Sequence, residues 1–212
     1  MLTPIQESII VLAAMKNTFE PVLKVFKRYI NDDDLKFVLQ MKMIVDLSSF
    51  SEEWARLGPL CKTCPDMILT LKICEPAVTR LRKWSGIRDF RNKALAHGFR
   101  DEVRDDNGRT IRPPTDLEKF YFDADVPNRY AEIVLLYEMA YFCMAVVMHR
   151  HGRVTDDLNL IYDKEIIYRG IDSANEFDSE MEGFMNHIEA LDATFAPMWN
   201  GYRKLVDIIK GK

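Results

Sequence analysis

The residues with the most chemistry in this sequence are Arg91, Asn92 and His97. They stand in "RDFRNKALAHG", residues 88–98, a dense polar cluster in an otherwise apolar helical pattern. A histidine titrates near neutrality and can take or give a proton at working pH. An arginine offers a planar fork of donors suited to phosphate oxygens. Asn92 can hydrogen-bond to a phosphate, a base or the imidazole of a partner subunit. No compact Asp/Glu/His cluster accompanies them, so neither a metal nor a cofactor is expected at this site. The phosphate chemistry open to such a set is cleavage of RNA by its own 2′-hydroxyl. His97 would be the general base or acid, and Arg91 would stabilise the charge of the phosphorane. DNA lacks that hydroxyl and would not be cut by this route. The plain alternative is a charged helix end. Basic residues in the last turns face the helix dipole, Gly98 is an ordinary C-cap, Arg91 pairs with Asp89 or Asp101, and His97 is half-buried and satisfied.

The spacing limits what one copy can do. Six residues along a helix separate Arg91 and His97 by roughly 9 Å in height and about 120° around the axis. They cannot stack as an i, i+4 pair would. They can flank one groove, or meet the same residues from a second copy of the chain. Ala96 is small enough to admit another backbone beside the histidine.

"FRNKALAH" resembles the R-polar-x(3–5)-H signature of the HEPN superfamily of helical domains. It is most similar to the form seen in AbiU2-like abortive-infection or toxin members. The resemblance makes Arg91 the signature arginine, Asn92 its polar neighbour and His97 its histidine. It implies an α-helical bundle and a symmetric homodimer whose two motifs face each other across a cleft. It also implies metal-independent endoribonuclease activity in toxin–antitoxin or phage-defence systems, with RNA as substrate and an antitoxin protein as restraint. A non-catalytic HEPN-like module, acting by dimerisation or partner binding, is the alternative. Lys93, Arg88, Arg100 and Arg104 are the expected substrate-binding residues.

The elements that must carry these residues are helical. Thr3 caps a first helix that starts at Pro4, with Ile5, Ile9, Leu12, Met15, Phe19, Leu23 and Phe26 as its apolar stripe and Pro21 a kink or split. After "NDDD" a second helix runs on from Leu35, and Ser51 could cap a separate turn within it. "GPLCKTCP" breaks the pattern, and a third helix spans about 66–83. Ser85 is the expected cap of the fourth, which Gly98 ends. Residues 99–128 form the least helical region. There "VRDDNGRTI" has the Asn-Gly pair of a tight hairpin. Folded back beside the fourth helix, such a hairpin would let Arg100, Arg104, Arg109 and Arg112 extend a phosphate-binding surface. The segment from about 129 to 151 is the most apolar. It carries Glu132 and Glu138 and reads as a central buried helix rather than a membrane span. "LNLIYDKEIIY" is a strand pair or a packed loop, and a last helix from about 175 to 209 could break at Pro197. The whole reads as all-α, one helical domain over 1–212. Five or six main helices form its bundle, with a HEPN-like core of about 1–151, a hairpin or loop excursion at about 99–128 and a C-terminal extension over 152–212.

Charge is unevenly placed. The formal net charge is −4, yet residues 80–112 hold ten Arg or Lys against five Asp or Glu. A locally basic strip on an acidic body permits a small nucleic-acid contact without demanding one. Four cysteines and no evident signal peptide suggest reduced thiols in the cytoplasm. "CKTC" invites a zinc or a redox reading, but lacks further ligands and a thioredoxin-like strand, so small buried side chains near a helix start explain it better. His149 and His151 read as helix-end residues, and His187 as part of a solvated face. Asp105 with Asp106 and Asp156 with Asp157 read as loop acids. The aromatic pairs at 121–122 and 141–142 read as packing.

Overall fold

The computed structural model describes residues 2–92, 103–111, 121–156 and 169–211. The chain is an all-α helical bundle with one small two-stranded antiparallel hairpin. Five helices among the described residues are 17 residues or longer: α1 (Pro4–Arg28), α2 (Asp33–Leu60), α3 (Pro65–Leu81), α5 (Tyr130–His151) and α6 (Ala174–Leu191). A short α4 (Ile87–Arg91), β1 (Val103–Arg104), β2 (Thr110–Ile111), a 3-10 helix (Ala193–Trp199) and α7 (Leu205–Ile209) complete the set. The chain divides into two compact units, Met1–Tyr162 and Asp163–Lys212.

Local signals start the first unit as read. The Thr3 hydroxyl accepts from the Gln6 N–H while the Gln6 carbonyl oxygen accepts from the Thr3 N–H, a reciprocal capping box. Pro21 lies inside α1 without splitting it, and Asp32 caps α2 by accepting from the Leu35 N–H. The second helix is unbroken: Ser51 caps no separate turn, and its hydroxyl donates back to the Leu47 carbonyl instead. Cys61 and Cys64 bracket the turn between α2 and α3, with Cys61 buried and its thiol pushed up by burial and the neighbouring Cys64.

Helix α5 is the central strut. By length and composition it is the one described helix that could cross a membrane. Here it packs on α1, α2 and α3, burying Ile133, Leu136, Tyr137, Ala140, Cys143, Met144 and Val147. Phe19 of α1 stacks on Tyr137 with ring centroids 4.1 Å apart. The Tyr137 hydroxyl donates to Asp46 of α2 at 2.8 Å, and Lys42 pairs with the other carboxylate oxygen. Burial and the Asp46 charge drive the Tyr137 phenol far above its usual range. Each fully buried Phe or Leu along these seams contributes about 1.5–3 kcal/mol. Toward the start of α5, Glu132 accepts from Arg80 at 2.9 and 2.6 Å and from the Trp84 indole at 3.2 Å. That arginine and indole hold its carboxyl below the usual range.

The hairpin forms as its Asn-Gly pair predicts. Val103 faces Ile111 and Arg104 faces Thr110. The Asp105 carboxylate accepts from the N–H groups of Asn107 and Arg109, and Gly108 takes φ 74°, which favours glycine.

The second unit is built differently. Ser173 caps α6, and the Asp178 carboxylate accepts from the N–H groups of Leu205 and Val206, capping α7. The break after α6 comes at Asp192, before Pro197. Asp192 turns extended (φ −153°, ψ 103°) and its carboxylate accepts from Thr194, opening the 3-10 helix that contains Pro197. The segment "LNLIYDKEIIY" lies outside the described residues.

Candidate functional site

Among the described residues helix α4 spans Ile87–Arg91. Three contacts position it. Gly86 is the N-cap, and its N–H donates to the Asp125 carbonyl at 2.9 Å. A Cβ at Gly86 would stand 2.7 Å from that carbonyl oxygen and 2.8 Å from the Asp125 nitrogen, so only glycine permits the approach. Ser85 is not the cap. Its N–H and hydroxyl both donate to the Asp125 carboxylate, at 2.9 and 2.5 Å, and hold that carboxyl below its usual range. Ile87 and Phe90, three residues apart, enter the core. Phe90 meets the edge of Tyr121, whose hydroxyl donates to the Pro127 carbonyl and whose phenol burial pushes up to about 12.

With Ile87 and Phe90 inward, Arg88 and Arg91 are left to meet α2. Both reach the same carboxylate. Arg91 Nη1 donates to Glu52 Oε2 at 2.7 Å, and Arg88 Nε lies 3.5 Å from Glu52 Oε1. Arg91 is therefore paired, with a residue 39 positions away rather than with Asp89. Two guanidinium groups on one carboxylate leave a local surplus of one positive charge. The Arg91 side chain is 33 % exposed and that of Arg88 73 %, so both can still be reached from solvent.

Beside this pair opens a cleft of about 260 Å³, whose lining includes Ser48, Glu52, Leu81, Arg82, Trp84 and Arg88. Its walls are apolar and its rim carries two arginines. Ser48 is 1 % exposed, and its hydroxyl has no hydrogen-bond partner among the described residues. Sequence reading missed both Glu52 and Ser48. Nothing in "SSFSEEW" separates Glu52 from Glu53 by type, and only the helix face turned toward α4 does so.

The other expected site residues divide in two. Asn92 follows α4 in a helical conformation, its N–H donating to the Arg88 and Asp89 carbonyls. Arg104 is exposed on β1. Lys93, His97, Gly98, Arg100, Asp101 and Arg112 lie outside the described residues, and so does the meeting of Arg91 with His97. Arg109 sits at the foot of the hairpin turn, its carbonyl accepting from Asp105.

A second polar cluster joins the end of α5 to α3. The Thr70 side chain, fully buried, donates to the Asp66 carbonyl and accepts from Arg150 Nε at 2.8 Å. His151 Nε2 lies 2.8 Å from the same hydroxyl, with Nδ1 3.6 Å from the Asp66 carboxylate, and Arg150 also pairs with Asp66. Burial lowers the His151 imidazole below its ordinary value, against the pull of Asp66. His151 is thus more than a helix-end charge: it is bonded across the helix interface. The sealed Thr70 hydroxyl makes this cluster a clasp between helices. Among the described residues no group of three or more His, Cys, Asp or Glu could hold a metal ion. No family model matches the sequence, and no curated protein or solved structure matches it.

Proposed function

We propose that this chain is a metal-independent endoribonuclease-like toxin or phage-defence protein of HEPN type, acting as a homodimer in the cytoplasm. RNA is its substrate and an antitoxin protein its restraint. The observation that carries the reading is the placement of Arg91. Its fork is held by Glu52 together with Arg88, part-exposed, next to a cleft rimmed with cations. That is where a phosphate would find donors already oriented. In the reaction the RNA 2′-oxygen attacks phosphorus while its proton passes to an acid/base group. The bond to the 5′-oxygen then breaks and that oxygen takes a proton. The products are a 2′,3′-cyclic phosphate and a 5′-hydroxyl. His97 is the acid/base residue, and Arg91 stabilises the phosphorane. Asn92 orients the phosphate or the partner's imidazole, and Lys93, Arg88, Arg100 and Arg104 hold the strand.

The test is RNA cleavage in chelator by the wild type and by His97→Ala. Wild type should leave 2′,3′-cyclic phosphate ends. His97→Ala should lose cleavage with helicity and dimer mass unchanged. Equal cutting by the substituted protein would remove His97 from the mechanism. One observation favours the non-catalytic alternative, a helical dimerisation or partner-binding module: Glu52 already satisfies Arg91. On that reading wild type cuts no RNA, and Glu52 and Arg91 merely join α2 to α4.

A further inference from the structure

Ser48 is anomalous among the serines of its own helix. Its neighbours Ser49 and Ser51 donate their hydroxyls to the carbonyls of Val45 and Leu47, the usual way for a serine to satisfy itself inside a helix. Ser48 does not, although it is the most buried of the three. A buried hydroxyl without a partner costs free energy that replacement by an apolar group would recover. Its position gives that cost a use, because Ser48 lines the cleft that Glu52 and Arg88 share with Trp84, Leu81 and Ile87. Trp84 is half-buried, its indole N–H fixed on Glu132, so its ring is an anchored apolar wall. Arg82 and Arg88 are both exposed at the rim.

An apolar-walled space, lined in part by a serine whose hydroxyl is unspent and bordered by guanidinium groups, suits a nucleobase with its phosphate. We propose that this cleft is a subsite for one unstacked base of a single-stranded RNA, with Ser48 hydrogen-bonding the base edge and Arg88 meeting the adjoining phosphate. This rests on the ribonuclease reading above and names the substrate more narrowly. A base held in the cleft must leave its stack, which single strands and loops allow and a continuous duplex resists. The volume admits one base, not a stacked run. A serine hydroxyl both donates and accepts, so it selects for a splayed base rather than for one base identity.

The experiment uses the full chain carrying His97→Ala, so that binding is read without cleavage. The probes are the four 5′-mononucleotides and their nucleosides, followed through the Trp84 indole N–H resonance and by titration calorimetry. Mononucleotides should shift the Trp84 signal. Ser48→Ala should weaken their binding by about 2- to 12-fold, the loss of one hydrogen bond, while its thermal midpoint stays level or rises. Arg88→Gln should weaken mononucleotides but not nucleosides. The proposal is overturned if no mononucleotide moves the Trp84 resonance, or if Ser48→Ala binds as the parent does. It is equally overturned if Ser48→Ala lowers the thermal midpoint, since Ser48 would then have a structural partner. If nucleotides bind as described but the protein with His97 intact cuts no RNA, the subsite stands and the ribonuclease reading falls.

Discussion

Glu52 decides how much of Arg91 is available to a phosphate, and Glu52→Gln measures it. The substitution keeps a carbonyl oxygen for the Arg91 donor now 2.7 Å away and removes only the charge. The pair is part-exposed, at 33 % for Arg91 and 39 % for Glu52, so solvent screens it and its worth is about 0.2–1 kcal/mol. Losing it should lower stability by no more than that, a fall of about 2–4 °C in thermal midpoint at the upper limit. The same charge competes with any phosphate for Arg88 and Arg91. Without it the local surplus rises from one positive charge to two. Affinity for single-stranded RNA should then rise by a similar amount, about 1.4- to 5-fold. If the freed arginine takes one more phosphate, the slope of log affinity against log salt should steepen by about 0.7.

The assay is fluorescence anisotropy of a labelled 2′-O-methyl oligonucleotide, which cannot be cut, across roughly 50 to 200 mM salt. Thermal melts of the same samples run alongside. Tighter binding, a steeper slope and a slightly lower melt together place phosphate at these two arginines. RNA affinity unchanged or weaker in Glu52→Gln, at an unchanged slope, would refute the reasoning. Glu52 and Arg91 would then be a joint between α2 and α4 and nothing more.

Two further outcomes test the frame that holds the site. Tyr137→Phe keeps the ring that stacks on Phe19 but removes the donor to Asp46, which is 8 % exposed. A hydrogen bond to a charged group is worth about 1.5–3 kcal/mol, so the melt should fall by about 3–12 °C, and a fall of under about 1 °C would mean the bond contributes nothing net. His151 is harder to protonate folded than unfolded, because burial, and secondarily Arg150, outweigh Asp66. The unfolded chain therefore binds more protons as pH drops below about 6.5, so this residue's contribution is full above that value and is lost as pH falls through the lower folded value. His151→Gln should flatten the decline of the thermal midpoint between about pH 7 and pH 5, and an unchanged decline would assign it to other groups.

Where the signal is local, the structure is legible in the sequence. Thr3 with Pro4 states a helix start within two residues, and Asn107-Gly108 states a hairpin within two. Both follow from backbone hydrogen bonding that neighbours alone can satisfy. Residue type misleads where the partner actually taken, near or far, settles the matter. Ser85 has the chemistry of a cap, but Asp125 takes its hydroxyl and a glycine starts the helix. Pro197 looks like the breaker of the last helix. Asp192 breaks it first, because its carboxylate caps the next turn. At the site, the residue types are legible and the partners are not. Arg91 has the donor fork that suits a phosphate, while Glu52 is visible only once α2 and α4 are packed.

That asymmetry bears on how the site works. The position of Arg91 is set by what grips α4 from outside. Gly86 against Asp125, Phe90 against Tyr121 and the two arginines on Glu52 are all contacts across more than 30 residues of sequence. They fix one end of the motif on a rigid core of α1, α2, α3 and α5. An arginine anchored in this way can stabilise a phosphorane without reorganising, which is the condition for electrostatic catalysis. The anchoring carboxylate sets the cost: a phosphate must displace part of an existing ion pair. Binding would then favour substrates that bring a second contact, and the proposed subsite beside Arg88 would supply one. A strand that seats a base against Trp84 and Ser48 while its phosphate reaches the arginines gains from both contacts. A bare phosphate gains from one. RNA with unstacked bases should therefore outcompete inorganic phosphate and duplex alike at this surface.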